Sequence, residues 1–168
     1  MRETATAYLS AGSNLGDRKA NLERACASLR EAGVVTTRVS SFFETEPVGF
    51  REQPWFLNAA IEVATCLAPD ALLGVCQAIE SSSGRLRSFR NAPRTLDLDI
   101  LLYENLVMSN PGLDIPHPRL AVRRFVLEPL AQIAPGLVHP VLKKSIRSLL
   151  ESCPDASAVR MCSPGDLL

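Results

Sequence analysis

The chain has 168 residues, of which 46% are hydrophobic and 21% charged, and this composition is typical of a soluble globular protein with a single domain over residues 1–168. Eighteen basic residues balance eighteen acidic ones, and a net charge of zero argues against a general nucleic-acid-binding protein, which needs a basic surface. No apolar run is long enough to span a bilayer, and the N-terminus has no signal-peptide hydrophobic region, so we expect no membrane partner.

The cysteines and histidines indicate a cytoplasmic protein without a zinc site. The five cysteines form an odd set with no CxxC spacing, so we interpret them as reduced thiols. Both histidines, His117 and His139, lie far from any pair of cysteines. We expect a monomer whose partners are small molecules.

Periodicity in the first half predicts a strand, a helix and two further strands. Asp17 is placed to cap the helix and Gly33 to end it. The elements are a strand over residues 4–11, a helix between 17 and 33, a single strand over 34–43, a loop over 44–54 and a strand over 56–65. In the last strand Leu57 and the alternate residues after it face the core, which leaves Phe56 and Asn58 on the opposite face.

The second half contains one clear helix and one clear strand. Pro69 opens the helix and Gly84 ends it. An arginine-rich loop then leads into a strand that runs from Asp97 to about Tyr103, and only a weak helix near residues 145–152 is predicted after residue 135. The order β-α-β-β-α-β is that of an α+β, ferredoxin-like sandwich, with both helices on one face of an antiparallel sheet and extra C-terminal elements.

The stretch RLRSFRNAPRTLDLDI, residues 85–100, is the strongest indication of chemistry. Asp97 and Asp99 alternate with apolar residues, and residues two apart in a strand point the same way, so the two carboxylates share a face. Carboxylates that converge in this way suit a hard cation such as Mg²⁺. The alternative is that Asp97 begins the strand and Asp99 is solvated, which leaves two like charges on one face.

Four arginines precede the acidic pair, with no acid among them: Arg85, Arg87, Arg90 and Arg94. Arginine binds phosphate oxygens through forked hydrogen bonds, and several arginines in a loop indicate a polyphosphate clamp that closes on its ligand. For Arg90 an ordinary solvated loop is an open alternative, whereas Arg94 adjoins the aspartate strand.

Three further groups of residues are candidates for ligand contacts. Phe56 and Asn58 could hold a flat heterocycle by stacking and by hydrogen bonds to its edge, or they could pack under the loop and satisfy a turn. Gln77 and Glu80 share one side of the second helix and could face a nucleotide or be surface residues. His117 lies between prolines, before a second arginine cluster, where a phosphate contact and a structural role are both open.

Several familiar enzyme motifs do not occur in the sequence. There is no P-loop, no dinucleotide-binding GxGxxG before a helix and no GxSxG elbow. The residues alone indicate an enzyme that binds Mg²⁺ and a nucleoside polyphosphate beside a flat acceptor, because phosphoryl transfer needs mainly positioning and charge neutralisation. They do not identify the acceptor.

Six motifs in family order make the chain resemble the hydroxymethyl-dihydropterin pyrophosphokinases of folate biosynthesis. The resemblance covers residues 7–135, and its most specific motif is the one that contains Asp97 and Asp99. The motifs are AYLSAGSNLGDR (7–18), SSFFETEPVG (40–49), QPWFLNAA (53–60), PRTLDLDILLY (93–103), IPHPRL (115–120) and RRFVLEPLAQIAP (123–135).

The resemblance implies a ferredoxin-like fold and a reaction that depends on ATP and Mg²⁺. ATP would give its terminal diphosphate to the hydroxymethyl group of 6-hydroxymethyl-7,8-dihydropterin, and AMP would leave. Asp97 and Asp99 would hold two Mg²⁺ ions, and with Arg87 and Arg94 they would be the catalytic residues. The pterin pocket would consist of Thr45, Val48, Phe56, Asn58 and Phe125, with the two phenylalanines on either side of the ring. ATP would be bound by Gln77, Glu80, Arg87, Arg94, Ile100, His117 and Arg123.

The loops over residues 44–54 and 84–94 would be mobile lids, and the second of them departs from the family pattern. Many members have a tryptophan just before the proline–arginine pair, where this chain has Asn91 and Ala92, with Phe89 the nearest aromatic residue. Pro118 follows the histidine where some relatives have tyrosine. These differences bear on how the loop seals the site and leave the acidic pair unchanged.

Two rival functions predict different observations. A nucleotidyltransferase also uses an Asp-x-Asp pair, but its Gly-Ser motif usually lies shortly before the pair, whereas Gly12 and Ser13 lie more than eighty residues upstream. Such an enzyme would release pyrophosphate. An RNA-binding module of this fold class would display several aromatic side chains on its sheet, and this chain has only one Trp, two Tyr and six Phe in total.

Overall fold

A computed structural model describes residues 3–84, 89–163 and 165 of the chain, and it has an α+β architecture. The strands in the described part are β1 Ala5–Ser13, β2 Val35–Val39, β3 Phe43–Thr45, β4 Phe56–Thr65, β5 Asp97–Tyr103, β6 Met108–Asn110, β7 Leu113–Ile115 and β8 Val159–Met161. The α-helices there are α1 Arg18–Glu31, α2 Pro69–Ser82, α3 Arg124–Ile133 and α4 Ile146–Glu151, and a short 3₁₀ turn covers Leu120–Val122.

The main sheet is antiparallel and has six strands. Its order is β5-β1-β4-β3-β8, and β2 pairs with the far half of β4. The long central strands fix the register: Gly12 of β1 lies opposite Asn58 of β4 on one side and opposite Asp97 of β5 on the other. β6 and β7 form a separate hairpin. This register brings the C-terminal end of β1 and the N-terminal ends of β4 and β5 to the same edge of the fold.

Helices cover both faces of the sheet. On one face α1 and α2 bury a cluster that includes Leu9, Leu22 and Leu72. On the other face α3 and α4 bury a second cluster around Leu101 and Leu127. The helix α3 begins at residue 124. Its N-terminus lies over the end of the sheet at which Asn58 and Asp97 are found. No helix in the described part of the chain combines the length and the apolar character that crossing a bilayer requires.

Several predicted elements are confirmed, and their ends lie where the sequence predicts them. β4 has the predicted bounds, and α2 begins at Pro69 as expected. Asp17 caps α1, since its Oδ1 accepts a hydrogen bond of 3.0 Å from Ala20 N. Gly33, with φ of +79°, follows the end of that helix in the left-handed region that glycine tolerates best.

The single strand predicted over residues 34–43 is wrong. The region contains two strands, β2 and β3, separated by residues 40–42, and a further register shift between Thr36 and Arg38 lies within β2. The side-chain oxygen of Ser40 accepts a hydrogen bond from Ala60 N in this break, which interrupts the ladder to β4. Val35 and Val39, which were predicted to lie on one face of the single strand, are exposed, by 56% and 43%. The β6–β7 hairpin and strand β8 were not predicted.

Candidate active site

A cleft opens where the ends of β1, β4 and β5 meet the N-terminus of α3. Its empty volume, with the open mouth included, is about 620 Å³. Nine of the residues predicted to contact substrates line it: Thr45, Val48, Phe56, Asn58, Arg94, Asp97, Asp99, Arg123 and Phe125. One cavity therefore contains both the predicted pterin residues and the predicted phosphate and metal residues.

The N-terminal end of strand β5 forms the acidic wall of the cleft. Asp97 and Asp99 are half-buried on the cleft face, whereas Leu98 between them is buried in the core. Leu98 N donates a hydrogen bond of 2.8 Å to Oε1 of Glu80, which is itself only 5% exposed. The strand is thereby fixed from the α2 side, and its two carboxylates are held toward the cleft.

Arg94 lies between the acidic wall and the aromatic wall. Its Nε lies 3.5 Å from Oδ2 of Asp97, and its guanidinium carbon lies 5.0 Å from the centre of the Phe56 ring. That Nε atom is buried and has no hydrogen-bond partner among the described residues. A buried N–H donor that has an ion-pair partner but no hydrogen bond is costly, so the guanidinium group of Arg94 is suited to an anionic oxygen of a ligand.

Asn14, which was not predicted as a site residue, holds the backbone of Arg94 in place. Asn14 N donates to Arg94 O at 3.1 Å, and Arg94 N donates to the Asn14 side-chain oxygen at 2.8 Å. The amide nitrogen of Asn14 donates to Gln53 Oε1 and to Pro54 O, both at 2.9 Å. Asn14 therefore links the loop before β4 to the loop before β5, and the two loops are joined through one buried amide.

The loop around residue 91 also contacts the loop over residues 46–54. Gln53 Nε2 donates to Asn91 O at 2.9 Å, and the rings of Phe50 and Phe89 meet edge to face with their centres 5.5 Å apart. Asn91 lines the cleft. It approaches Gly49 so closely that a Cβ on Gly49, whose φ is +84°, would lie 2.3 Å from the Asn91 amide nitrogen. Any other residue at position 49 would therefore be strained.

The polar floor of the cleft is formed by Thr45 and Asn58. Asn58 Nδ2 donates to Thr45 Oγ1, and both side chains are buried. Asn58 Oδ1 faces β1, where a Cβ on Gly12 would lie 2.5 Å from it, so only glycine leaves room for this amide. With the amide fixed, an acceptor and a hydroxyl group are available for the edge of a flat heterocycle.

The opposite wall is cationic and aromatic. The guanidinium carbon of Arg123 lies 5.5 Å from the centre of the Phe125 ring, and Arg119 also lines the cleft. Burial, with the nearby positive charge of Arg119, lowers the pKa of Arg123, while Asp99 and Asp97 oppose that shift. A phosphate placed here would neutralise the positive charges of Arg119 and Arg123, and it would pair strongly with them because they are partly removed from water.

His117 is neutral in this environment. Its Nδ1 accepts a hydrogen bond of 3.1 Å from Arg119 N, so the proton of the neutral ring is on Nε2. Burial lowers its pKa to about 4, and the positive charges of Arg123 and Arg119 act in the same direction. The side chain can thus donate one hydrogen bond without adding a charge.

We expect His117 to remain neutral from pH 8 down to about pH 5, and its titration by ¹H–¹⁵N NMR should show a midpoint well below 6.5. The unfolded chain takes up this proton near pH 6.5 and the folded chain only near pH 4, so the histidine lowers stability as the pH falls through that interval. Arg119→Ala removes a nearby positive charge and should raise the midpoint. An unchanged midpoint in that variant, or a wild-type value near 6.5, would contradict the assignment.

His117 lies close enough to Arg119 and Arg123 for their charges to act on it, but it is not among the residues that line the cleft. Four further predicted residues do not line the cleft or lie outside the described part of the chain. Gln77 is exposed on α2. Ile100 is 4% exposed and packs in the core beneath the sheet, and Glu80 is a buried partner of Leu98 and not a surface residue. Arg87 falls within residues 85–88, which the structure does not describe. The ATP-binding roles of these four residues stay predictions.

The comparisons with known proteins agree with this geometry. The sequence profile of the family described as 7,8-dihydro-6-hydroxymethylpterin-pyrophosphokinase (HPPK) matches residues 8–135. The chain is 49% identical over 128 residues to the 2-amino-4-hydroxy-6-hydroxymethyldihydropteridine pyrophosphokinase of Bacillus subtilis, a match that covers 76% of this chain and 77% of that one.

Two longer proteins are also similar. The folic acid synthesis protein fol1 of Schizosaccharomyces pombe is 40% identical over 161 residues, which is 95% of this chain but 22% of that protein. The wild-type HPPK-DHPS of Plasmodium falciparum, a solved structure, has a TM-score of 0.71 at 15% identity and covers 90% of this chain and 45% of that one. The chain thus spans about a fifth of the fol1 protein, and the Plasmodium structure supports the fold alone. The extent of the profile match and the identity to the bacterial enzymes confirm the resemblance: the chain belongs to the HPPK family.

Proposed function

We propose that this protein transfers the terminal diphosphate of ATP to the hydroxymethyl group of 6-hydroxymethyl-7,8-dihydropterin, with release of AMP, in folate biosynthesis. The observation that carries the proposal is the set of residues that this cleft brings together. Its acidic wall, Asp97 and Asp99, lies next to arginines and to a buried amide between aromatic side chains. The matches to the bacterial relatives cover three-quarters or more of the length of those proteins. The name of these relatives, a pyrophosphokinase, supports the same reaction.

The donor set fits Mg²⁺ bound together with a polyphosphate. No group of three or more His, Cys, Asp or Glu side chains suited to a metal occurs in the described part of the chain. Asp97 and Asp99 supply carboxylates from one face of β5, and Mg²⁺ typically takes one or two carboxylates and completes its octahedron with phosphate oxygens and water. We propose that these two residues hold two ions, which would neutralise the phosphate oxygens and draw charge from the bond that breaks.

The arginines and His117 would position the polyphosphate. Arg94 and Arg123 present guanidinium groups from opposite sides of the cleft, and the buried Nε of Arg94 lacks a hydrogen-bond partner among the described residues. His117 would donate from Nε2. We assign Arg94, with Arg87 from the same loop, to the charge that develops on the transferred group, because preorganised donors act most strongly where charge appears in the transition state.

The pterin would lie between Phe56 and Phe125, with its edge toward the Thr45–Asn58 pair and with Val48 at the rim. Its hydroxymethyl oxygen would attack the β-phosphorus of ATP in line. A bond forms between that oxygen and the β-phosphorus, the bond between the α,β-bridging oxygen and the β-phosphorus breaks, and AMP leaves with the electron pair. The hydroxyl proton goes to solvent or to Asp97.

The architecture supports a ferredoxin-like assignment. With β2 and β3 taken as two halves of one interrupted strand, the order β5-β1-β4-β3 and the helices α1 and α2 on one face follow the β-α-β-β-α-β pattern. We propose a single domain over residues 1–168, to which α3, α4 and β8 are added. We further propose that it acts as a cytoplasmic monomer on small-molecule substrates.

The products of one incubation test the proposed reaction. The protein mixed with MgATP and 6-hydroxymethyl-7,8-dihydropterin should form AMP and the diphosphorylated pterin in equal amounts, as measured by chromatography. The same mixture with a 6-methyl pterin, which lacks the attacking hydroxyl, should form neither. Pyrophosphate together with a nucleotidylated pterin would show a nucleotidyltransferase instead, and no turnover would contradict the proposal.

A further inference from the structure

The segment over residues 153–162, which we name the C-terminal brace, contacts both side walls of the cleft. The family profile ends at residue 135, so its match does not include this segment. The brace leaves α4, passes the N-terminus of α3 and then joins the main sheet as β8. One wall of the cleft belongs to α3, and the other belongs to β3 and the loop after it.

At the first wall, Asp155 replaces the missing cap of α3. The N-cap residue of this helix, Arg123, makes no capping hydrogen bond with its side chain. Asp155 Oδ2 instead accepts a hydrogen bond of 3.0 Å from Arg124 N, and Asp155 O accepts one of 2.9 Å from Arg124 Nε. Arg124 lies between Arg123, the N-cap residue of α3, and Phe125 in its first turn, and both of these residues line the cleft. Asp155 therefore fixes the backbone from which both side chains extend.

At the second wall, the brace pairs with β3 and with Glu46. Glu46 N donates to Ala158 O and Ala158 N donates to Glu46 Oε2, both at 3.0 Å. Thr45 lies opposite Val159 in the β3–β8 ladder, and Cys162 N donates to Phe42 O at 2.8 Å. Thr45 and Glu46 both line the cleft. The brace thus holds the polar side of the pocket as well.

Only two residues lie between Asp155, which contacts α3, and Ala158, which pairs with Glu46. Asp155 also holds these two residues in place. Its Oδ1 accepts a hydrogen bond of 2.9 Å from Ser157 N, next to Ala158. Burial raises the pKa of Asp155, but the hydrogen bonds from Ser157 and Arg124 outweigh it, so the pKa lies below its usual value and the carboxylate is charged at neutral pH. A charged acceptor strengthens each of these bonds.

We propose that Asp155 is a positioning residue for the pterin, which sets the separation between the Phe125 wall and the Thr45 wall through the C-terminal brace. The identity of the ligand rests on the proposed function, whereas the brace itself rests on the contacts above. A flat ligand that must stack and bond at its edge is sensitive to this separation, and the flexible triphosphate is less so.

The test compares Asp155→Ala with two matched variants. Asp155→Asn keeps a capping oxygen. Asp17→Ala removes the same kind of cap, the bond from Ala20 N, from α1 on the other face of the sheet. All are assayed for AMP release well below their melting temperatures. We expect Asp155→Ala to raise the KM for the pterin about fivefold to tenfold, as the loss of a capping bond implies, and to change the KM for ATP much less. Asp155→Asn should restore most of the loss, and Asp17→Ala should lower the melting temperature without affecting the pterin KM.

Three results would overturn the proposal: an unchanged pterin KM in Asp155→Ala, an equal rise in the KM for both substrates, or the same pterin effect in Asp17→Ala. Titration of the fluorescent 6-hydroxymethylpterin, in the presence of a non-hydrolysable ATP analogue, separates this proposal from the proposed function. A wild-type protein that binds the pterin but releases no AMP would contradict only the reaction, and the dissociation constants of the variants would then decide the role of Asp155. A wild-type protein that neither binds the pterin nor releases AMP would contradict both the proposed function and the role of Asp155.

Discussion

Replacing Asp97 or Asp99 with asparagine or alanine is expected to lower the turnover number by about 10²- to 10³-fold, the range found when a group that stabilises transition-state charge is removed. Each change takes one carboxylate from the face of β5 that lines the cleft, and with it a ligand for the cation that the polyphosphate needs. Asparagine is nearly isosteric, so that variant separates the loss of charge from any loss of packing.

The fold should survive these changes, because both side chains are only half-buried and the apolar side of β5 remains intact. Melting temperatures should stay within a few degrees of the wild-type value. Asp70→Asn, at an exposed carboxylate in the first turn of α2, is the matched control and should keep full turnover. Calorimetric titration with the Mg²⁺ complex of an ATP analogue should show weaker binding in the Asp97 and Asp99 variants alone. Near-normal turnover in both would exclude the acidic pair as the metal site.

The central strands could be predicted from sequence because their burial is a local pattern. In β4 and β5 apolar side chains alternate with cleft residues, so the same periodicity that marks the strand also separates Phe56 and Asn58, or Asp97 and Asp99, from the core. A site on such strands is visible in the sequence as the polar or aromatic exceptions to an apolar row.

The remaining features depend on partners that are distant in the chain. The break between β2 and β3 follows from a hydrogen bond between Ser40 and Ala60, and β8 has only three residues and exists through its pairing with β3. Asn14 was not predicted because its partners lie about forty and eighty residues away. No local periodicity encodes such contacts, so residues that hold the proposed substrate-binding residues in place are harder to predict than those residues themselves.

Arg94→Ala is expected to reduce the turnover number by about 10²-fold or more, as for other groups that bind developing charge, and to change the affinity for the pterin much less. Its buried Nε has no hydrogen-bond partner among the described residues and lies 3.5 Å from Asp97, so the side chain is placed to bridge the acidic wall and a phosphate oxygen. Arg94→Lys should recover little, because an ammonium group cannot reproduce the fork of two donors.

Arg94 also lies over the ring of Phe56. The loss of turnover in Arg94→Ala must therefore be compared with the loss of pterin affinity, because the ratio of the two separates the two contacts. If the Phe56 contact were the main role of Arg94, the variant would bind the pterin weakly and turn over normally once saturated. If the phosphate contact dominates, saturation with pterin cannot restore the rate, and turnover stays low at any pterin concentration. Arg30→Ala, at the far end of α1, provides the control for a lost arginine away from the cleft. A variant that loses only pterin affinity would reassign Arg94 to the pterin pocket and leave Arg123 as the principal phosphate contact in the described part of the cleft.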